Sequence, residues 1–556
     1  MDYSYVIIAI VLVSIFLVLS FFENSKKSRK YRIKKLRELF GKKSNRVFGD
    51  GEYEHIDGFF RNHKEDFVID EITWHDLNMD EIFSDINYTQ SSAGEEYLYY
   101  RLKCPSIMCE SHDTEERKIE YLYNNEKDRL TLQTALMDCG RTGKYSIYDY
   151  IGNLSVLDGE NAVADIMIDL LYLLVIIAFF FNTAIAIGLI IFALVLSGLT
   201  YFSKKKKIEP FYICFAYVFR VLKGAGLLVK NNYGEVFAEE KNELEKLLKE
   251  FNGFKRFSGI MVNNGAGDIL SILTDYLKMF FHLDIIKFFH MFGELKKHES
   301  DIDKIITIMG RLDFYSSVAM YRAYIKEWCV PTFREGDMEL TGIYHPLITE
   351  PVKNDIRLNR GMLLTGSNAS GKSTMLKTIT VNALLAQSIN TVCAEAYNAP
   401  VYRIYTSLAL SDNIFEGESY YMSEIKSLKR IIDCAGDSSS PILACVDEVL
   451  RGTNTLERIS ASCAIMKNLS NVKGIIMAAT HDLELADLLK DYYDNYHFEE
   501  QVVNNDIVFP YKIIKGKATT RNAIMLLKIT GYDSALVDEA MAIAKNYETS
   551  GVYSFS

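Results

Sequence analysis

The chain has 556 residues, 49% of them hydrophobic, 12% aromatic and only 8 of them proline, which excludes a disordered or low-complexity polymer and predicts about three or four domains. Its formal net charge of −11 excludes a chain-wide basic surface for nucleic acid, so any such contact needs a local basic patch. The mean hydropathy of +0.01 is high for a chain that is 24% charged, so apolar residues must be concentrated in particular segments.

The first apolar segment covers residues 5–22 and contains no charged residue. It is long enough to cross a hydrocarbon layer of about 30 Å as a helix. Basic residues follow it at 26–37, whereas a secretory signal carries its positive charge before the apolar run. We therefore expect residues 1–25 to form a retained transmembrane anchor, followed by a basic juxtamembrane linker over 26–70 in the cytoplasm.

A second apolar segment covers residues 166–202, is interrupted near Asn182, and ends at the four lysines 204–207. We interpret residues 166–203 as a transmembrane helical hairpin. With the anchor, it predicts a multi-pass protein of the cell membrane whose C-terminal half lies in the cytoplasm. The alternative is a buried pair of core helices, because the first arm, residues 166–181, is short for a full span.

On both sides of the hairpin, apolar residues recur at helical spacing. The sequence predicts an all-α core and lever domain in two parts, residues 71–165 and 204–335. From about Asp337 the pattern changes, because short β-type runs alternate with helical segments. This alternation predicts an α/β domain with a parallel sheet over residues 336–515.

The strongest motif is GSNASGKS, residues 366–373, which matches the phosphate-loop pattern G-x-x-x-x-G-K-[ST] at every fixed position. The glycines allow backbone N–H groups to surround phosphates, and the following helix adds a partial positive charge. We expect Lys372 to reach the β- and γ-phosphates and Ser373 to ligate Mg²⁺. The predicted nucleotide-binding residues are Gly366, Ser367, Asn368, Ala369, Ser370, Gly371, Lys372, Ser373 and Thr374.

Two further strand-like runs end in polar residues. Residues 442–446 lead into Asp447 and Glu448, which predicts a second Mg²⁺-holding group and a residue that orients or deprotonates the attacking water. Residues 475–479 lead to His481, which we expect to sense the γ-phosphate or position the water. With Lys372 as the third catalytic residue, these parts imply Mg·ATP hydrolysis by in-line attack of water.

The segment DEVLRGTNTLERISAS, residues 447–462, resembles the Walker B segment and following loop of the MutS family of DNA mismatch-repair ATPases. ATHDLELADLL is similar to that family's switch, and FPYKIIKGKATTRNAIMLLKITGYDSALVDEA to its late strands and C-terminal dimerisation element. NYTQSSAGEEYLYYRLKCP and MGRLDFYSSVAMY resemble the start and end of its core-lever region. The resemblance implies an ABC-type P-loop ATPase fold over 336–515 and a helix-turn-helix dimerisation element over 516–556.

The segment EGESYYMSEI is similar to the start of the family's signature helix, and Ser419 matches the serine that reaches the γ-phosphate of the partner subunit. Read alone, Ser419 would be a helix N-cap. The resemblance implies a homodimer with composite ATP sites, in which Asp447 and Glu448 serve metal and water and His481 is the catalytic switch.

The chain also departs from the family's pattern. Its phosphate loop lacks the proline and second glycine that mismatch-repair members usually carry, and we expect an anchor and a hairpin where relatives have the mismatch-reading domain and the DNA clamp. The sequence therefore predicts a membrane-anchored MutS-like ATPase that couples nucleotide state to DNA binding, without support for mismatch recognition itself. The alternative is an ABC-like membrane ATPase that acts on a protein or membrane partner without DNA.

Overall fold

The structure is a computed structural model that describes most of the chain. The described residues are 27–49, 51–106, 112–231, 233–251, 278–367, 370–408, 420–436, 440–450, 454–503, 506–518, 524, 527 and 531–550. The predicted anchor, residues 1–25, lies outside them, as do the predicted site residues Asn368, Ala369 and Ser419.

The chain divides into two compact units, each assembled from separate stretches of sequence. The first comprises Met1–Lys64, Asn87–Tyr100 and Arg117–Ala323, and the second comprises Glu65–Ile86, Arg101–Glu116 and Tyr324–Ser556. Two N-terminal stretches, residues 65–86 and 101–116, thus belong to the same unit as the C-terminal half. The seven predicted segments are not tested by this division and stay predictions.

The regular secondary structure of the described N-terminal half is helical, and further helices flank the sheets of the C-terminal half. In chain order the helices are α1 (residues 27–39), α2 (Gly58–Asn62), α3 (Glu71–Asp76), α4 (Met79–Ile86), α5 (Ser92–Lys103), α6 (His112–Asn124), α7 (Glu126–Cys139), α8 (Ile147–Asn153), α9 (Val163–Phe181), α10 (Thr183–Ile208), α11 (Tyr212–Lys230), α12 (Ala238–Glu250), α13 (Leu283–Lys297), α14 (Glu299–Ile325), α15 (Lys372–Ile389), α16 (Tyr420–Gly436), α17 (Thr455–Leu469), α18 (Leu483–Leu488) and α19 (Ser534–Ser550).

The core of the first unit is fixed where α5 crosses α14. Both helices carry a glycine at the crossing: a Cβ on Gly94 would lie 2.2 Å from Asp313 Oδ2, and one on Gly310 would lie 2.7 Å from the carbonyl oxygen of Ala93. The fully buried Asp313 carboxylate accepts hydrogen bonds from the Gln90 and Ser91 N–H groups and from the Ser91 hydroxyl. Burial raises the pKa of Asp313 to about 6, against the effect of these bonds.

The apolar segment at 166–202 forms the helical hairpin α9–α10. The Asn182 side chain joins the arms by capping α10, accepting from the N–H groups of Ala184 and Ile185. At the open end, Lys204 Nζ lies 2.5 Å from the buried Asp165 carboxylate. Both helices are long and apolar enough to cross a membrane. Only 17% of the most apolar 18-residue stretch of α9 is buried. This exposure is unlike that of a buried pair of core helices.

The described residues of the second unit form two mixed sheets, flanked by helices, and a two-stranded antiparallel sheet. Its strands are β1 (Thr332–Phe333), β2 (Met338–Ile343), β3 (Asn354–Leu358), β4 (Gly361–Thr365), β5 (Ala396–Ala399), β6 (Arg403–Ser407), β7 (Ile442–Asp447), β8 (Gly474–Thr480), β9 (Tyr493–Phe498), β10 (Gln501–Val503), β11 (Asp506–Val508) and β12 (Ile513–Lys515). The larger sheet has the order β12-β9-β4-β8-β7-β6, the smaller mixed sheet has the order β1-β5-β2-β3, and the two-stranded sheet is β10-β11. The predicted helical N-terminal region and α/β C-terminal domain are thus confirmed at this level.

The central strands of the larger sheet are parallel and aligned at their carboxyl ends. Thr365, the last residue of β4, pairs with Thr480, the last residue of β8, and Asp447 at the end of β7 pairs with Ala479. The apolar runs of these strands are almost wholly buried, as expected of parallel strands covered on both faces. Polar residues that follow the three strands are therefore brought to one edge of the sheet.

The N-terminal helix α3 supplies hydrogen-bond partners to the edge strand β6. Thr406 Oγ1 and the N–H of Leu408 both donate to the Asp76 carboxylate, at 2.7 and 2.8 Å, and the N–H of Thr406 donates to Thr73 Oγ1. On α16, Arg430 lies 2.5 Å from the Asp70 carboxylate. The edge strand and α16 are thus held by residues more than 300 positions earlier in the chain.

We predict that Gly94→Ala destabilises the chain by about 1–3 kcal/mol, because the added methyl group overlaps the buried Asp313 carboxylate. The measurement is the midpoint of urea unfolding of the purified chain, followed by circular dichroism. Gly226→Ala is the matched control: that glycine lies within α11, and apart from its chain neighbours and its own helix backbone no atom of the described residues lies within 4 Å of its Cβ position. It should leave stability unchanged or raise it by up to about 1 kcal/mol. Equal midpoints for both variants would contradict the close helix crossing.

Candidate nucleotide-binding site

The predicted phosphate loop connects β4 to α15 at the carboxyl edge of the larger sheet. Gly366 and Gly371 have φ values of +142° and +99°, which side-chain-bearing residues rarely adopt. A Cβ on Gly366 would also lie 2.9 Å from Ser370 Oγ. Both fixed glycines of the motif are therefore required by the backbone path of the loop.

Lys372, the first residue of α15, folds back over this loop. It is only 3% exposed, and its Nζ donates to the carbonyl oxygens of Gly366 and Ser367 at 2.9 and 2.7 Å. The Ser367 hydroxyl is buried and has no hydrogen-bond partner within the described part of the chain. A buried ammonium and an orphaned hydroxyl beside a helix N-terminus are the groups that a phosphate would satisfy.

Ser373 and Asp447 meet although 74 positions separate them. The Ser373 hydroxyl, in the first turn of α15, donates to Asp447 Oδ2 at the end of β7. A hydroxyl and a carboxylate are the oxygen donors that Mg²⁺ prefers, so this pair fits a magnesium site. The alignment of β4, β8 and β7 brings the pair together.

Glu448 follows Asp447 on a constrained turn. Its φ is +56°, and that of Leu450 is +59°, a region that non-glycine residues occupy at a cost. The N–H of Glu448 donates to the carbonyl oxygen of Ala479 at 2.9 Å, so the neighbouring strand holds the turn in place. The turn places the Glu448 side chain beside the residues that follow β8.

His481 contacts both other predicted catalytic residues. Its Nε2 lies 2.9 Å from Glu448 Oε1 and 3.3 Å from Lys372 Nζ. Because a carboxylate only accepts and an ammonium only donates, Nε2 bonds one of the two at a time: it donates to Glu448 when it carries a proton and accepts from Lys372 when it does not. Lys372, Glu448 and His481, predicted from three separate motifs, thus lie together at the carboxyl edge of the sheet.

A cavity of about 430 Å³ opens beside the phosphate loop and was not foreseen from the sequence. Gly371 and Thr374 form its wall on the loop side, and His345, Phe498 and Tyr511 are among its other lining residues. Burial lowers the pKa of His345 to about 4, so its imidazole is neutral at physiological pH. The segment IYHPLI, residues 343–348, supplies four of the lining residues and was the signal available in the sequence.

Asn354 fixes the wall of this cavity. Its Nδ2 donates to the carbonyl oxygen of Tyr511 at 3.0 Å, and its Oδ1 accepts from the N–H of Ile513 at 2.9 Å. The Tyr511 ring also lies 3.1 Å from the position of a Cβ on Gly371. The cavity, with its aromatic wall, therefore adjoins the phosphate loop directly.

Comparison with known proteins relates this part of the chain to one family. A family model described as MutS domain V matches residues 362–548. The curated DNA mismatch repair protein MutS of Fusobacterium nucleatum is 30% identical over 274 residues, that of Thermotoga petrophila 30% over 260, and that of Finegoldia magna 31% over 264. These alignments cover 46%, 45% and 45% of this chain, but only 30%, 32% and 30% of the respective relatives. The chain thus spans about a third of their length, and its residues 362–548 match domain V of the MutS family.

Proposed function

We propose that the second unit binds and hydrolyses Mg·ATP at the carboxyl edge of its larger sheet, giving ADP and phosphate. The observation that carries this proposal is the convergence of Lys372, Glu448 and His481. The neighbouring Ser373–Asp447 pair and the orphaned Ser367 hydroxyl support it. The match of residues 362–548 to MutS domain V, which the sequence resemblance connects with an ATPase, supports it independently of the geometry.

In this proposal each residue of the edge has a separate task. The loop N–H groups and Lys372 bind the phosphates, and Lys372 exchanges its bonds to loop carbonyls for bonds to phosphate oxygens. Ser373 and Asp447 would hold Mg²⁺, which would neutralise phosphate charge when bound. Glu448 orients the attacking water and accepts its proton, and His481 positions Glu448 through the 2.9 Å contact.

The cavity beside the loop would take the nucleobase. It adjoins Gly371 and Thr374, so a base lodged there extends from phosphates that lie on the loop. Its volume of about 430 Å³ lies in the usual range of small-molecule sites. The neutral imidazole of His345 and the rings of Phe498 and Tyr511 provide the apolar and aromatic surfaces that a purine packs against.

The active form would be a homodimer in which Ser419 of each subunit completes the ATP site of the other subunit. DNA would be the ligand of this dimer, and the affinity for DNA would depend on the bound nucleotide. These parts of the proposal rest on the family resemblance, and Ser419 lies outside the described residues.

One observation favours a partner other than DNA. The hairpin α9–α10 exposes an apolar surface, on which Phe179 and Phe180 are 61% and 81% exposed. We propose that this surface lies in the lipid bilayer and anchors the protein there, so a membrane or protein partner is the alternative to DNA.

Glu448→Gln should lower the rate of ATP hydrolysis on the order of 10²- to 10⁴-fold, because the amide cannot accept the proton of the attacking water. ATP binding should stay within about 2-fold of the wild type, because Lys372 and the loop are unchanged. Phosphate release and binding of a fluorescent ATP analogue measure the two effects. Glu335→Gln, at an exposed glutamate in a different loop, is the matched control and should behave as wild type. Undiminished hydrolysis by Glu448→Gln would remove this residue from the mechanism.

Tyr511→Ala should raise the dissociation constant for ATP about 10-fold, because the nucleobase loses an aromatic wall of its cavity. Binding of inorganic tripolyphosphate to the same variant is the control, since this ligand has phosphates but no base and should bind as it does to the wild type. Isothermal titration calorimetry of both ligands separates base from phosphate contacts. Equal losses for ATP and tripolyphosphate would show that Tyr511 acts on the phosphate loop and not on a base.

Asn182→Cys should react with a membrane-impermeant maleimide added outside intact cells, because the bilayer proposal puts the tip of the hairpin on the outer side. Ser300→Cys, near the start of α14, should react only after the cells are opened. The unsubstituted chain is the control for its native cysteines, which should all be shielded. Labelling of Asn182→Cys and Ser300→Cys to the same extent in intact cells would rule out the proposed topology.

A further inference from the structure

Arg458 and Asp482 form a bidentate ion pair next to His481, the residue that contacts Glu448. Arg458 Nε donates to Asp482 Oδ2 at 2.9 Å, and Arg458 Nη2 donates to Asp482 Oδ1 at 2.7 Å. Arg458 lies in the first turn of α17, and Asp482 is both the residue after His481 and the N-cap of α18. The pair therefore joins the helix that follows the Glu448 turn to the turn that carries His481.

The geometry of the pair restricts the backbone next to His481. Two parallel N–H···O bonds fix the plane of the carboxylate as well as its distance from the guanidinium. The N–H of Asp482 also donates to Thr480 Oγ1 at 3.0 Å, so the residues on both sides of His481 are bonded to each other. His481 itself is 35% exposed in its side chain.

The charge of Arg458 also acts on the site. Its hydrogen bond to Asp482 raises the pKa of Arg458, and the nearby carboxylates of Asp482, Glu448 and Glu484 add to that effect. Arg458 is thus within the electrostatic range of Glu448 without being placed in contact with it. The side chains of Arg458 and Asp482 are only 24% and 18% exposed, so water screens this pair less than a surface pair.

We propose that Arg458 and Asp482 are positioning residues that hold His481 against Glu448. The proposal rests on the ATPase activity proposed above and assigns neither residue a contact with the nucleotide. A purely structural role would lower the melting temperature when the pair is removed, whereas a positioning role lowers the rate of hydrolysis at an unchanged melting temperature. The pair couples the turn after β8 to the first turn of α17.

The test is a double-mutant cycle between Arg458 and His481. Arg458→Ala should lower the rate of ATP hydrolysis on the order of 10- to 100-fold, with ATP binding and the melting temperature close to wild type. In the His481→Ala background the same substitution should have little further effect, because its target is already absent. The reversed pair, Arg458→Asp with Asp482→Arg, should recover part of the activity that either single reversal loses.

Asp487→Ala is the matched control, because Asp487 on α18 forms an exposed ion pair with Lys517 and should not change the rate when removed. Additive losses from Arg458→Ala and His481→Ala would overturn the proposal, and so would wild-type hydrolysis by Arg458→Ala. Absence of hydrolysis in the wild type itself would instead count against the proposed function. Three results together support both the proposed function and the positioning role: the wild type hydrolyses ATP, Arg458→Ala hydrolyses it more slowly, and Arg458→Ala causes no further loss when it is added to His481→Ala.

Discussion

The parallel alignment of β4, β8 and β7 is the constraint on which the candidate site depends. Each strand is a buried apolar run, and each ends at the same edge because its backbone pairs in register with its neighbour. A slip of one residue would turn every side chain of the slipped strand to the opposite face. The phosphate loop, the Asp447–Glu448 turn and His481 come from widely separated parts of the chain, so only this pairing gives them a common location.

Strain and close packing reinforce that arrangement. Glu448 keeps a left-handed backbone because the Ala479 carbonyl holds its N–H, and a backbone fixed in this way loses little freedom when a substrate binds. Lys372 is held by loop carbonyls in the same region. The groups of the candidate site are thus already held in position by bonds that a ligand can replace. This lowers the entropic cost of ordering these groups when a ligand binds.

Motif residues with fixed spacing were predictable from the sequence, because the chemistry restricts both the residue type and its place. Gly371, Lys372 and Ser373 follow directly from such a pattern, and the apolar runs before Asp447 and His481 predicted the strands that present them. The cavity was harder to foresee, since His345, Phe498 and Tyr511 come from three loops or strands without a common period. The Arg458–Asp482 pair likewise depends on tertiary distance, which neither residue's sequence neighbours reveal.

Asp70, Thr73 and Asp76 have a consequence for how the protein can be divided. The chain passes between its two units after residues 64, 86, 100, 116 and 323, so the second unit is not one contiguous piece. A fragment beginning near residue 336 would leave Thr406, Leu408 and Arg430 without the carboxylates they bond, exposing an edge strand ready to pair with other chains. The second unit therefore cannot be transferred to another protein as its C-terminal stretch alone. Any exchange of this unit between proteins would have to include the helix α3.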